Sequence, residues 1–253
     1  MKSLRAGLKF LGSIAVALAV LLLWRWVVEA ELVSPIILPG PARVLTALTA
    51  QAESGQLLRA VIGTVTRMLQ GFIVAAVLGV GLGLLIGLST TARTYVEPTL
   101  EALRPLPATA TIPVFIMLLG LTHTMIIAVI AFGSLWPIML NTIQGLKTIE
   151  PRLIQLSRTL EMSYADFIYK IALPNAVPDI FAGLRIALVF SLILSVVTEM
   201  MSAEPGLGST ILLAARSFRS ADLFAGIVAL GMLGYVLNIS LERTERYILR
   251  WRG

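Results

Sequence analysis

Six apolar runs, separated by short polar segments, constrain this chain more than any other feature: roughly Phe10–Trp24, Val61–Leu88, Leu100–Leu119, Thr124–Ile143, Val177–Met200 and Leu223–Leu241. A helix needs about 20 residues to cross the roughly 30 Å hydrocarbon core of a bilayer. Backbone polar groups in that core meet no water, so each crossing segment must close its own hydrogen bonds as a helix. The sequence therefore predicts an all-α membrane protein with six transmembrane helices. Composition agrees, with 57% hydrophobic and 13% charged residues among 253, against about 45–50% and about 25% in soluble domains. Soluble, disordered and fibrous classes are excluded. The chain has no cysteine and one histidine, His123, which removes disulfide frameworks, thiolate metal sites, Cys nucleophiles and His clusters.

Lys2, Arg5 and Lys9 precede the first run, as basic residues precede a signal peptide core. No small-residue cleavage site follows, and Trp24, Arg25 and Trp26 suit an interfacial anchor. The first run, extended to Val28, is therefore read as a retained span. Leu38-Pro39-Gly40-Pro41 is a turn cluster. Beyond it, Val44, Leu45, Leu48 and Ala52 recur at helical spacing, so Ala42–Ala52 reads as an amphipathic helix on the outer membrane surface. Residues 1–58 form this N-terminal part and 59–253 the core.

Orientation follows from the basic residues. With the N-terminus inside, the cytoplasmic side holds twelve: Lys2, Arg5, Lys9, Arg93, Lys147, Arg152, Arg158, Lys170, Arg243, Arg246, Arg250 and Arg252. The outer side holds five, Arg25, Arg43, Arg59, Arg216 and Arg219, and Arg67, Arg104 and Arg185 fall in or at the edges of spans. Both termini are expected in the cytoplasm, and the net charge of +6 reflects topology rather than a nucleic-acid partner.

Three stretches carry candidate function. Gly79, Gly83 and Gly87 repeat at four-residue spacing in the second span, which lets a neighbouring helix approach closely, within one subunit or between two. Pro107 and Pro113 interrupt the third span; freed carbonyls at membrane depth suit either a kinked packing helix or a helix lining a translocation path. The polar segment 144–176 is too long for a turn yet keeps helical patterning. Pro151 suits a first helical turn, Leu153, Leu156 and Leu160 follow it, and Ser163 with Asp166 resembles a capping box. Two short helices with a bend near Glu161–Ser163 would make a rigid cytoplasmic protrusion, the second ending at Leu173-Pro174. An amphipathic loop on the lipid surface is the plainer reading of that segment.

Gln155-Leu156-Ser157, then Glu161, then Ile171-Ala172-Leu173-Pro174 follow the spacing of a known motif. The segment resembles the EAA loop of bacterial ABC importer permeases, E-A-A-x3-G-x9-I-x-L-P. The second half matches; the first departs, with Gln155-Leu156-Ser157 for Glu-Ala-Ala and Glu161 for Gly. Leu38-Pro39-Gly40-Pro41, Arg67 with Gly71, Arg104-Pro105-Leu106-Pro107, Asn141-Thr142 with Gly145, Ala182-Gly183-Leu184-Arg185, Thr198-Glu199-Met200 and Gly206-Leu207-Gly208 resemble, in order, the nitrate/sulfonate/taurine subgroup of these permeases.

The resemblance implies the type I ABC importer permease (MetI-like) fold with cytoplasmic coupling helices, in the bacterial inner membrane. It implies a homodimer, two ATPase subunits carrying the ATP and Mg, an external substrate-binding protein, and no cofactor in this chain. Gln155, Leu156, Ser157, Arg158, Leu160, Glu161, Met162, Ser163, Tyr164, Ile171, Leu173 and Pro174 would form the ATPase-coupling site. Glu161 is expected to keep a right-handed or bridge backbone and to present its carboxylate on the docking rim. Pro107, Pro113, Asn141, Arg185, Thr198 and Glu199 are candidates for the path or its gate; Glu199 serves equally well as a cap holding the loop before Gly206. No Gly-Lys pair exists for a phosphate loop, and no nucleophile–base set appears, so the chain is not read as an enzyme. An ATPase-independent secondary transporter or channel is the alternative, and it offers no reason for a capped protrusion.

Overall fold

The computed structural model describes residues 2–103, 106–202 and 204–252, and every regular element in them is helical. In chain order these are α1 (Lys2–Glu29), α2 (Pro41–Glu53), α3 (Gln56–Leu88), α4 (Thr90–Leu103), a 3-10 turn (Ala108–Thr111) leading into α5 (Ile112–Leu119), α6 (His123–Lys147), α7 (Pro151–Thr159), α8 (Tyr164–Phe167), a π-helical turn (Ile168–Ala172), α9 (Leu173–Ser202), α10 (Leu207–Arg216) and α11 (Ser220–Ile248). Among the described residues, four helical stretches are long and apolar enough to cross a membrane: α3, α6, the continuous Tyr164–Ser202 and α11. A bent pair, α4 with Ala108–Leu119, makes a fifth. The 28-residue α1 leaves its apolar side chains from Val16 to Leu23 largely exposed. Its end stacks Trp24 on Phe224 of α11 at 5.9 Å between ring centroids.

Two expected boundaries differ from those observed. The third span is not one helix over Leu100–Leu119, because α4 and Ala108–Leu119 lie at 84° to each other. Pro107 is extended at the start of the 3-10 turn, with φ −69° and ψ 118°, and Pro113 sits in the first turn of α5. Proline weakens a helix interior but readily begins one; here Pro107 is extended and Pro113 opens α5, so the chain restarts in a new direction. Arg104 and Pro105 lie outside the described residues. Second, Leu173-Pro174 does not end the helix after α8, which runs on through the π turn into α9. The wider turn accommodates the missing Pro174 donor and the clash of its ring.

The centre is α3, α6 and α9. Gly71, Gly79, Gly83 and Gly87 of α3 rest on Ile130, Ile138, Thr142 and Leu146 of α6, residue by residue in the same direction, so the two helices run parallel. A Cβ at Gly83 would stand 2.5 Å from the Thr142 Cβ. The glycine stripe therefore packs inside the subunit, the alternative the sequence left open. Small residues do here what they do generally in lipid, letting backbones approach for dispersion contact. The apolar alignment of α2 is only partly satisfied internally: Val44 is buried and Leu48 joins Ala60, Leu207 and Ala229 in one cluster, while Leu45 and Ala52 stay exposed.

Candidate functional site

The protrusion is built from its base outward. Leu153, Ile154, Phe167 and Ile171 pack with Leu146, Ile149, Ala172, Ala176 and Ile180, and against Leu84 and Leu88. One apolar cluster thus joins α7, α8 and the π turn to the ends of α3, α6 and α9. The Asn175 amide donates to the Gly145 carbonyl at 2.9 Å, pinning α9 to α6. Pro151 opens α7 after an extended Glu150.

The two helices are closed where they meet. The Glu161 N–H donates to the Arg158 carbonyl at 3.1 Å and the Met162 N–H to the Ser157 carbonyl at 3.0 Å. This crossed pair is the Schellman arrangement, which requires a left-handed residue, usually Gly. Glu161 occupies that place with φ +48°, so the expectation of a right-handed or bridge conformation is wrong. The geometry of the cap fixes the backbone there whatever side chain it carries. Ser163 starts α8: its hydroxyl accepts from the Asp166 N–H at 3.1 Å and donates to the Asp166 carboxylate at 2.7 Å. Lys170 pairs with the same carboxylate one turn on. The Lys170 hydrogen bond first, then that from Ser163, hold the Asp166 carboxyl below its usual range. The 39-residue stretch Tyr164–Ser202 exceeds the roughly 20 residues a crossing needs, and Asp166 lies on the protruding first turn.

The sequence-derived coupling residues divide into a tip and a base. Leu160 and Tyr164 are 62% and 66% exposed, and Leu156 is 50% exposed. Gln155, Arg158, Glu161 and Ser163 are exposed beside them, and Met162 is half-buried. Ser157 is buried, its hydroxyl donating to the Ile154 carbonyl at 2.8 Å. Ile171, Leu173 and Pro174 are half-buried at the base.

At the other end of α3 and α9 lies a buried polar hub. Arg67 of α3 donates from Nη2 to Glu199 Oε1 at 2.8 Å and to the Pro205 carbonyl at 2.7 Å. The second Glu199 oxygen accepts from Thr64 Oγ1 at 2.9 Å and from the Gly208 N–H at 3.0 Å. Thr64 Oγ1 accepts from the Leu207 N–H at 2.9 Å, and Ser195 Oγ donates to Glu199 Oε1 at 3.1 Å. Glu199 thus caps the N-terminus of α10 and holds the loop that precedes it. A Cβ on Gly206 would run into the Glu199 carboxylate. The sequence flagged Glu199 as a gate candidate and Arg67 only as a family-like residue at a span edge; it did not pair them, and Thr64 was missed. The available signal was a cation near the start of one apolar run and an anion near the end of another, each of which needs a partner at membrane depth.

The remaining path candidates do not converge. Thr198 is buried and donates back to the Leu194 carbonyl at 2.7 Å. Arg185 pairs with Glu245 of α11. Asn141 donates to the Pro137 carbonyl at 2.8 Å and borders a cavity of about 300 Å³ with Glu97, Glu101 and Lys147. Pro107 and Pro113 are exposed around the bent third span. His123 Nε2 stands 2.8 Å from Gln70 Oε1.

Residues 75–252 match the family model described as binding-protein-dependent transport system inner membrane component. The chain belongs to this family. The permease is 30% identical over 234 residues to a protein of Bacillus subtilis (strain 168) named as an aliphatic sulfonates transport permease, SsuC, covering 92% of this chain and 85% of the relative. It is 29% identical to the taurine transport system permease protein TauC of Escherichia coli (strain K12), over 96% of this chain and 89% of that one. It is 32% identical to the bicarbonate transport system permease protein CmpB of Synechococcus elongatus, over 75% and 68%. Among solved structures, the inward-facing MetNI methionine ABC transporter superposes with a TM-score of 0.68 at 20% identity, over 78% of this chain and 98% of that one. The permease is thus a membrane-spanning component of an ABC importer with the fold of such permeases.

Proposed function

We propose that two copies of the permease form the path of an ATP-driven importer for a small solute of the sulfonate, taurine or bicarbonate kind. The substrate class comes from the names of its relatives. The observation that carries the reading is the protrusion: a doubly capped tip with exposed Leu156, Leu160 and Tyr164, seated through one cluster on three spans. Segment 144–176 within the core 59–253 is then the coupling loop. Its apolar tip fills a groove on an ATPase subunit, with Arg158 and Glu161 on the rim, and ATP with Mg is held by that subunit. Closure of two ATPases draws the two tips together. Because each base is packed on α3, α6 and α9, the displacement passes to the spans rather than being absorbed in a loop. A separate binding protein delivers the solute to the outer face.

Proteoliposomes holding the permease, its genomically neighbouring ATPase and the neighbouring binding protein should accumulate that protein's ligand only with ATP. Accumulation without the ATPase would support a secondary transporter instead. A single cysteine at Gln155 should react from the cytoplasmic side and one at Ser217 from the outer side, with both termini inside.

A further inference from the structure

Basic residues are depleted from the outer segments of membrane proteins, so those present there need a physical reason. Of the five outer arginines, Arg25 is paired with Glu29 at 2.7 Å. Three of the other four, Arg59, Arg216 and Arg219, line one cavity of about 460 Å³ between the start of α3, the end of α9 and α10. Among the described residues, no acidic one lines it. Arg219 is partly balanced by Asp222 at 3.4 Å, whose other oxygen accepts from Gln51 at 2.9 Å. Among the described residues, no carboxylate pairs with Arg59 or Arg216.

We propose that this cavity is an oxyanion site, taking a sulfonate, sulfate or phosphate group between Arg59 and Arg216, with Arg219 adding to the field. Guanidinium groups present paired donors matched to such oxygens. The volume falls in the range of about 300–1,000 Å³ usual for small-molecule sites. Met200, Leu212 and Leu213 supply an apolar wall for a short alkyl part. The floor is fixed from beneath, because Pro205 and Gly206 line the cavity while the buried hub holds the same segment through Arg67 and Glu199. The group comes either from the imported solute or from an anionic lipid headgroup. That the solute carries an oxyanion group rests on the import reading above; the site itself does not.

The test is direct binding to the full-length permease in a detergent with neutral headgroups, at fixed ionic strength, by calorimetric titration with sodium ethanesulfonate and with sodium sulfate. Saturable binding is expected, weakened about tenfold or more in R59Q/R216Q, since charge-assisted hydrogen bonds are lost. R43Q, outside the cavity, should bind as the unaltered protein does. In phosphatidylcholine nanodiscs of matched negative charge, replacing phosphatidylglycerol with oleate should strengthen ethanesulfonate binding if an anionic lipid phosphate is an occupant and leave it unchanged if only the free solute is. Absence of saturable binding, or equal affinity in R59Q/R216Q, would overturn the site. Absence of saturable binding to the unaltered permease with its ATP-driven uptake intact would overturn the site alone, whereas failure of uptake leaves the binding result standing.

Discussion

Arg67 and Glu199, 132 residues apart in sequence, meet at 2.8 Å between α3 and α9, with Glu199 fully buried and Arg67 only 5% exposed. The pair anchors more than two helices, because Arg67 also holds the Pro205 carbonyl and Glu199 the Gly208 N–H. Removing one partner strands the other charge away from water, at a cost of about 3–5 kcal/mol. Arg67→Met and Glu199→Met should each lower the unfolding temperature in detergent markedly. The double variant should lose less than the sum, since neither charge is then left alone. Strict additivity would show that the two residues act independently.

Glu161 stands in the left-handed place of the α7 cap with φ +48°. A non-glycine residue there costs about 1–2 kcal/mol. Glu161→Gly should slow hydrogen exchange at the amides of positions 161 and 162, which close the cap, whereas Glu161→Ala should not. Faster exchange in the glycine variant would mean that the carboxylate itself secures the bend.

Asp166 titrates below the usual carboxylate range because Lys170 and Ser163 bond its charged form. A carboxyl depressed in the folded state contributes stability that is fully present above its ordinary pKa and lost as pH falls through the lowered value. The protection factor of the Asp166 amide should therefore be flat near neutral pH and fall only on acidification below the ordinary range. Asp166→Asn should lose that dependence. A transition near neutrality would contradict the assignment.

Two neighbouring glycines of α3 should respond oppositely. A Cβ at Gly83 would meet Thr142 Cβ at 2.5 Å, whereas none of the surroundings come within 4 Å at Gly81. Gly83→Ala should destabilise the permease by about 1–3 kcal/mol through forced separation of α3 and α6. Gly81→Ala should be neutral or slightly stabilising, since alanine is the better helix former. Both are measured by thermal unfolding in the same detergent.

The long apolar runs made α3, α6, α9 and α11 legible, because lipid permits little besides helices at that length. The protrusion was legible too, through Pro151 at a helix start and Ser163 three residues before Asp166. The break of the third span was not, since hydropathy is indifferent to direction and only the backbone geometry at Pro107 and Pro113 decides it. Pro174 misled for the opposite reason, a π turn having absorbed its missing donor. Long-range pairs such as Arg67 with Glu199 leave no periodic trace. Glu161 hid its conformation because the side chain is one the left-handed region disfavours.

Docking of a separate ATPase on the α7–α8 tip, as proposed above, is read out by co-purification. Tagged permease purified from its own host should carry an ATPase subunit with it, while Leu160→Asp, which places a charge at the apolar tip, should lose it without a change in unfolding temperature. Equal recovery of ATPase with Leu160→Asp and the unaltered permease would contradict the claim.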